Sequence, residues 1–284
     1  MKKMNVRLAF LTAAALACWP LTAQAGTWRQ GMGGDKAAWW YDEGNGTFPT
    51  STWRWLDGNQ DGVAECYYFD ETGKMLQSAR TPDGYTVDEN GAWYLGFVRR
   101  KYVLNDQQTE VFKEAVEGLL TLYEEELYGP PGVDIQTRLK MDAGGQLALL
   151  KNLLAQSVRN QQTGAANPIF TPLRVEGDVG FFNRDETLRT FEALFGRLKD
   201  GAAFDQLGGE ELSVTASAPE HSYRITSCAC DSDGTFIYMK MEYEKLDQGG
   251  ELLRDGAVYV QLLSEDSAKN QYTIDCIGNR LSLG

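Results

Sequence analysis

Histidine is almost absent from this sequence, which has one, His221, in 284 residues. A histidine-rich zinc site is therefore excluded, and one candidate base is left for a nucleophile–histidine pair. A dyad with Cys228 or Cys230 is conceivable, but an exposed loop histidine and packed strand cysteines are the commoner arrangement. No G-x-S-x-G, H-E-x-x-H, P-loop or G-x-G-x-x-G motif occurs. Two carboxylates could still form a glycosidase, yet the acidic residues are too numerous to nominate a pair.

Positive charge is also scarce, because 27 Lys and Arg residues stand against 40 Asp and Glu residues, for a formal net charge of −13. Residues 1–25 hold three of these cations and no acid, so their removal would take the net charge to −16. Such a chain is repelled by phosphate backbones, which argues against nucleic acid as a partner. After residue 25 no run of 18 or more apolar residues occurs, so we predict no transmembrane segment.

The first 25 residues have the three parts of a secretory signal peptide. A positive region, a short apolar stretch and a small-x-small cleavage site follow one another: Lys2, Lys3 and Arg7, then Leu8–Ala17, then Ala23–Ala25. Cleavage there would leave Gly26 first. A lipoprotein signal that uses Cys18 is the alternative, but the residues before Cys18 fit it less well. We therefore predict a secreted, extracellular protein.

Tryptophan is missing from the last 186 residues, and six of the seven tryptophans lie between residues 26 and 98. Turn-forming pairs such as Asp83-Gly84 and Asn90-Gly91 crowd the same region, where they would supply the positive φ angles of tight hairpin turns. The short aromatic runs between them are typical of strands. We predict two domains, aromatic β-hairpin repeats over residues 26–98 and a separate domain over residues 99–284.

An internal repeat runs through the first of these domains. The segment WWYDE at Trp39–Glu43 recurs 28 residues later as YYFDE at Tyr67–Glu71, and DENGAWY at Asp88–Tyr94 is a shorter echo. Repeats of so short a period form stacked units, each too small to bury a core alone. The repeat therefore predicts hairpins that are stabilised by stacking their aromatic rings on their neighbours.

The order of aromatic and turn residues in WWYDEGNGTFP, WRWLDGNQDGVAECYYFDETG and TPDGYTVDENGAWYLG resembles the cell-wall-binding repeats of Gram-positive bacteria. These are also called choline-binding or glucan-binding repeats, and the resemblance covers residues 26–97. It implies a solenoid of β-hairpins with ligand in aromatic clefts between consecutive hairpins. The implied partner is a cell-wall polymer, either the choline of teichoic acid or a glucan. Aromatic faces suit choline, because a quaternary ammonium is weakly hydrated and donates no hydrogen bond.

The residues that match the family's aromatic positions are Trp28, Trp40, Trp53, Trp55, Tyr67, Tyr85 and Trp93. We expect ligand-binding clefts among them, although in so small a solenoid the same rings also form the core. The sequence departs from the family pattern at Ala38 and Cys66, which stand where the simplest repeats have tryptophan. The region could therefore bind another polymer or serve as a structural stalk.

The segment Asp57-x-Asn59-x-Asp61-Gly62 resembles the start of a calcium loop, with oxygen ligands at its first, third and fifth positions. Its twelfth position is Tyr68, where a bidentate Glu is needed. A hairpin turn rich in Asp and Asn is the simpler interpretation. The three residues are a weak calcium candidate, and we predict no metal site and no cofactor.

Residues 99–284 have the pattern of an α+β domain with about three helices followed by an antiparallel meander of four or five strands. Apolar residues keep helical spacing after Asn105, Asp142 and Asn183, and the third helix is expected to end at Asp200-Gly201. From Leu212 the spacing changes to a period of two.

Three shorter segments and the cysteines complete the prediction. We interpret Arg99–Lys101 as a solvated linker, Glu124–Glu126 as a solvated acidic face, and residues 164–182 as a crossing loop with one short strand near Leu173–Glu176. Cys228 and Cys230 lie two apart on a strand and should not bridge each other. One of them could bridge Cys276 if their strands are neighbours.

Together these patterns predict a secreted bacterial surface protein. Its aromatic hairpin repeats would bind cell-wall polymer, and its α+β domain would be displayed for interaction with an unidentified protein partner. The alternative is an extracellular hydrolase of cell-wall polymers that uses the repeats for targeting. Because no catalytic residue can be nominated, the sequence favours the first interpretation.

Overall fold

A computed structural model describes residues 26–31, 34–128, 136–138, 141–216, 219–232, 236–266 and 271–279. The predicted signal peptide, residues 1–25, lies outside the described residues. No helix in the described ranges is long and apolar enough to cross a membrane.

The chain forms two compact units. One contains the residues up to Thr52 together with Phe69–Met75, and the other contains Trp53–Tyr68 and everything from Leu76 onward. The boundary predicted near residue 98, between two independent domains, stays a prediction. Each unit is described separately below.

The smaller unit is built on an antiparallel hairpin of strands β1 (Thr27–Gln30) and β2 (Trp39–Asp42). Trp28 on β1 packs edge-on against Tyr41 at 5.3 Å between ring centroids and stacks against Phe69 at 6.0 Å. Trp40 on β2 is only 9% exposed. Aromatic contact between neighbouring segments thus takes the place of a large apolar core, as the repeat predicts.

Short hairpins also open the larger unit. They form two small antiparallel sheets, one of β3 (Thr52–Leu56), β4 (Val63–Phe69) and β8 (Arg100–Tyr102), the other of β5 (Ala79–Arg80), β6 (Thr86–Val87) and β7 (Trp93–Tyr94). Cys66 on β4 is buried, and no ring would fit where it packs without displacing its neighbours. The β-rich layout matches the prediction, and a regular solenoid stays a prediction.

One turn geometry recurs with the sequence Asp-x-x-Gly-x. In the turn that begins at Asp88, Oδ1 accepts the N–H groups of Asn90 and Ala92, both at 2.9 Å. The Asp88 N–H donates to the Ala92 carbonyl at 2.9 Å, and Gly91 has a φ of 88°. The turns at Asp70 and Asp247 repeat every one of these contacts. A single carboxylate oxygen therefore closes each of these hairpins.

This geometry corrects one expectation about the turn pairs. In Asp83-Gly84 and Asn90-Gly91 only the glycine has a positive φ, of 92° and 88°. Two positive φ angles would define a type I′ turn, whereas these loops are a helical-type turn followed by a left-handed glycine. In each loop the conformation is stabilised by a side-chain oxygen that accepts the N–H group four residues later. In the Asp83-Gly84 loop this oxygen is Thr81 Oγ1, which accepts the Tyr85 N–H at 3.0 Å.

Replacement of Asp88 by Ala should destabilise the protein by about 1–3 kcal/mol, because the buried N–H group of Ala92 would lose its acceptor. The free energy of unfolding in urea, followed by tryptophan fluorescence, measures this. Glu89→Ala is the matched control, since Glu89 is the exposed next residue. Equal stability of the two variants would contradict the role given to the turn oxygen.

In the described part of the chain after the hairpins there are three α-helices: α1 (Asp106–Tyr128), α2 (Ala143–Thr163) and α3 (Arg184–Phe195). The predicted capping box begins α1, where Asn105 Oδ1 accepts the Gln108 N–H at 2.8 Å and Gln108 Oε1 accepts the Asn105 N–H at 2.9 Å. Asp142 and Asn183 likewise accept a backbone N–H in the first turns of α2 and α3. The helix starts are therefore where the sequence predicts them.

The end of α3 differs from the prediction. The helix stops at Phe195 and not at Asp200-Gly201, because Gly196 adopts a left-handed φ of 82°. Asp200 instead caps a 3-10 helix, Gly201–Leu207, by accepting the Ala202 N–H at 3.0 Å.

Two antiparallel sheets lie in the rest of the larger unit. A three-stranded sheet has the order β10 (Arg174–Glu176), β11 (Val179–Asn183) and β12 (Glu211–Thr215). A five-stranded sheet is the predicted meander, β13 (Ser222–Ser232), β14 (Phe236–Leu246), β15 (Leu252–Asp266) and β16 (Gln271–Gly278), with β9 (Gln136–Arg138) beside β16. Along β14 the predicted alternation is present, since Ile237, Met239, Met241 and Tyr243 are buried.

The strand β11 lies inside the segment that the sequence suggests is a crossing loop. Its glycine is the reason for that error, because a Cβ atom on Gly180 would lie 2.2 Å from Val158 Cγ2 of α2. Glycine here permits close contact between helix and strand, although glycine in a sequence usually indicates a loop.

Glu124 on α1 corrects the predicted solvated acidic face. It is 3% exposed and lies against three strands of the meander. Its Oε2 accepts the Tyr223 hydroxyl at 2.9 Å and pairs with Lys245 Nζ at 2.7 Å, while its Oε1 pairs with Arg254. Burial acts to raise the pKa of Glu124, but the bonds from Arg254, Lys245 and Tyr223 outweigh it and lower the pKa below its ordinary value.

Two further carboxyl groups of α1, of the buried Glu114 and the half-buried Glu117, have no ion pair among the described salt bridges. Glu114 is 6% exposed and its Oε2 accepts the Ile169 N–H at 3.0 Å, while Glu117 Oε1 accepts the Ile225 N–H at 2.8 Å. Burial raises the pKa of each to about 7. Because the folded-state pKa lies above the unfolded one, their contribution to stability is complete below about pH 4.5 and is lost as the pH rises through about 7.

The Glu114→Gln variant should therefore gain stability relative to the wild-type protein between about pH 5 and about pH 8, by on the order of 2–3 kcal/mol at the upper end. Urea unfolding at the two pH values measures the difference. Glu110→Gln is the control, because Glu110 lies on the exposed side of the same helix. A pH dependence that is the same in wild type and Glu114→Gln would rule out a buried, neutral Glu114.

Candidate functional site

Three of the predicted aromatic residues meet in the larger unit. The ring centroids of Trp53, Tyr85 and Trp93 lie 6.1 Å (Trp53–Tyr85), 5.6 Å (Trp53–Trp93) and 5.2 Å (Tyr85–Trp93) apart. We call these three residues the aromatic cluster. Tyr68 packs edge-on against Trp53 at 5.3 Å, and Trp55 lies 6.5 Å from Trp93. Each ring therefore has several aromatic neighbours.

Local turns place the members of this cluster. Trp53 and Trp93 stand on β3 and β7, and Tyr85 closes the loop that Thr81 organises. Trp53 Nε1 donates to Asp83 Oδ2 at 2.8 Å, which joins the first hairpin to this loop. Hydrogen bonds from Thr81 and Trp53 lower the pKa of Asp83, so the carboxylate stays charged and keeps the indole in place.

The centroid separations define where a ligand could bind. Rings 5–6 Å apart are in direct contact, so no cavity for a trimethylammonium group exists between the three members of the cluster. Their outer faces are accessible, since Tyr85 is 44% exposed and Trp53 and Trp93 are half-buried. Ligand contact would thus occur on the outside of the cluster.

Two of the chain's own cations cover aromatic faces here. The Arg99 guanidinium lies 5.5 Å from the ring centroid of Trp93 and 5.9 Å from that of Phe97. Lys101 Nζ lies 5.0 Å from the ring centroid of Trp55 and 2.5 Å from Asp231 Oδ1. These are distances at which a cation is attracted by a ring face.

Arg99 and Arg100 are exposed, as predicted for a solvated segment, but Arg100 and Lys101 belong to strand β8 and not to a linker. Arg99 and Lys101 lie on rings, and Arg100 Nε pairs with Glu65 Oε1 at 3.1 Å across the β4–β8 pair. Successive side chains of a strand point to opposite faces, so Arg100 and Lys101 have different partners. The aromatic residues shortly before Arg99, Trp93 and Phe97, were the sequence signal for its contacts with rings.

The other predicted ligand-binding residues are distributed differently. Trp28 and Trp40 belong to the smaller unit, where Trp28 also lies 6.4 Å from Trp39. Tyr67 pairs with Ala92 through an isolated bridge, and burial raises the pKa of its hydroxyl to about 12. The structure thus brings Trp53, Trp55, Tyr85 and Trp93 into contact, whereas Trp28, Trp40 and Tyr67 are not part of this group of ring contacts.

The calcium candidate has the contacts of a turn. Both carboxylate oxygens of Asp57 accept backbone N–H groups, from Asp61 at 3.1 Å and Gly62 at 2.8 Å. Asn59 Nδ2 donates to Asp61 Oδ2 at 2.8 Å. These contacts support the simpler interpretation of a turn rich in Asp and Asn.

The cysteines and the histidine do not come together as a catalytic pair in the contacts observed. Cys228 Sγ lies 3.8 Å from Cys230 Sγ, with both thiols free, and His221 Nε2 lies 3.9 Å from Glu220 Oε1. Strands β14 and β15 separate β13 from β16, so the condition for a bridge from Cys228 or Cys230 to Cys276 is not met. Burial raises the pKa of the Cys66 thiol to about 11, which keeps it protonated and unreactive.

Residues 52–93 match the family model of the choline-binding repeat. The match confirms the predicted resemblance for this segment, which contains all three members of the aromatic cluster. A search of the curated proteins and a search of the solved structures found no match.

Proposed function

We propose that the protein is secreted and binds cell-wall polymer through its aromatic hairpins, with the choline groups of teichoic acid as the preferred ligand. The observation that carries this is the aromatic cluster of Trp53, Tyr85 and Trp93, which lies within the segment that matches the choline-binding repeat. The α+β region would then be displayed at the cell surface. Stacking of successive hairpins into a solenoid belongs to the same proposal.

The charge of the chain supports a cationic ligand. A net charge of −13 attracts quaternary ammonium groups and raises their concentration near the surface. The rings near the cluster already hold Arg99 and Lys101, which supports their suitability for cations. The same net charge repels the phosphate backbone of a teichoic acid, so the charge favours the choline group itself and does not decide between teichoic acid and a neutral glucan.

Arg99 would compete with choline for the face of Trp93. Removing this guanidinium in Arg99→Gln should strengthen choline binding roughly twofold to thirtyfold, because one cation–π contact is worth about 0.5–2 kcal/mol. Calorimetric titration of the full chain with choline measures the dissociation constant. Arg100→Gln is the matched control, because the substitution removes the same charge from a residue that pairs with Glu65.

Tyr85→Ala should weaken choline binding by a similar factor. Because the Tyr85 side chain is exposed, we expect the variant to keep its fold, and circular dichroism checks this. Retention of the full chain on a choline resin and on a glucan resin compares the two polymers. Equal retention of wild type and Tyr85→Ala on choline resin would refute the site. Retention on the glucan resin alone would show that the ligand is glucan and not choline.

A further inference from the structure

The helix α2 has an unusual charge pattern for this chain. Its 21 residues contain no acid, and its two charged side chains are both cations, Lys151 and Arg159. The whole sequence has 40 acidic and 27 basic residues, so a long helix with cations alone is an exception to the general composition. The two cations therefore give α2 a positive charge that is unusual in this chain.

Both cations line a groove of about 600 Å³ that is unrelated to the aromatic cluster. Its floor is apolar, with Ala155 from α2, Leu207 from the 3-10 helix and Val214 from β12, all of them buried. Ala148 and Leu122 lie nearer its mouth and are exposed. An apolar floor between a few polar groups is the usual composition of a binding groove of this size.

The groove also runs along the edge of a sheet. Ser213, Val214 and Thr215 are consecutive residues of β12 and all line it. Successive side chains of a strand point to opposite faces, so three neighbours line one groove only where it follows the strand edge. Among the described strands β12 pairs only with β11, and it ends the order β10-β11-β12. Backbone groups on its outer side are therefore positioned to accept another strand.

The two cations are spaced for such a strand. Lys151 and Arg159 are eight positions apart on the helix, which corresponds to about 12 Å along the axis. An extended chain covers that distance in about four residues, and residues four apart in a strand point to the same face. Both residues line the groove, and each head group also donates to a glutamine, Lys151 Nζ to Gln206 Oε1 at 3.3 Å and Arg159 Nη2 to Gln156 Oε1 at 2.7 Å.

We propose that this groove binds an extended acidic segment of a partner protein, which adds as a strand beside β12 and places two carboxylates four residues apart on Lys151 and Arg159. The middle one of the three residues between the two acids would lie over Val214 and Ala155. Partial burial lowers the pKa of Arg159, and an anionic partner would offset that desolvation. Among the described residues that line the groove, Glu220 is the one acid. This site does not depend on the binding of cell-wall polymer.

A fluorescein-labelled peptide Gly-Glu-Thr-Val-Thr-Glu-Gly tests the proposal by fluorescence anisotropy with the full chain. The expected result is saturable binding that weakens roughly tenfold or more when both Glu are replaced by Gln. N-methylation of the peptide backbone at the two Thr should weaken it similarly, because strand addition needs those N–H groups. Equal binding of the Gln peptide would overturn the charge assignment, and equal binding of the N-methylated peptide would overturn the strand geometry.

Variants of the protein locate the site. Ala148→Glu places an acid at an exposed groove position without disturbing the core, and Arg159→Gln removes one cation, so each should weaken binding roughly tenfold. Arg189→Gln is the matched control, because it removes the same charge from an exposed position on α3. Absence of peptide binding at millimolar concentration, or equal effects of Ala148→Glu and Arg189→Gln, would overturn the proposal.

Discussion

A single side-chain oxygen that accepts two backbone N–H groups closes the turns on which the hairpins depend. Asp70 and Asp88 do this in the repeats, and Asp247 does it between two long strands of the meander. Strands of two residues, such as β6 and β7, form too few ladder bonds to hold a hairpin in water. The turn carboxylate supplies the missing constraint, because one oxygen binds two backbone N–H groups of the loop, and in the Asp88 turn one of them belongs to the buried Ala92.

Once the turns are fixed, the aromatic rings have two roles that conflict. Trp53, Tyr85 and Trp93 contact one another because the hairpins have no other core, and the contact closes the space between them. A ring that stabilises its neighbours with one face has only its other face for a ligand. The structural role therefore limits any polymer site to the outer surface, where Arg99 already lies on Trp93. Binding by this protein would be exchange of one cation for another.

The features that the sequence predicts correctly are local ones. The capping box of Asn105 and Gln108 and the alternation along β14 need only neighbouring residues, and both are present. The failures involve contacts between distant segments. Gly180 suggested a loop, because the sequence does not reveal that Val158 lies against it. Glu124 suggested a solvated face, because its partners Lys245 and Arg254 are more than a hundred residues away. The cluster of Trp53, Tyr85 and Trp93 was predictable as a set, but not the contacts that close it.

Scarce cations connect the candidate surfaces of this acidic chain. Arg99 and Lys101 lie on aromatic rings, and Lys151 and Arg159 line a groove, so each candidate surface of this acidic chain includes two cations. The long-range field of the −13 chain favours approach of choline and opposes approach of an acidic peptide. Added salt screens both interactions, so it weakens the attraction of choline and also weakens the repulsion of an acidic peptide. Association with choline would therefore be fastest at low ionic strength, whereas an acidic segment would have to reach the groove before its local ion pairs with α2 outweigh the repulsion.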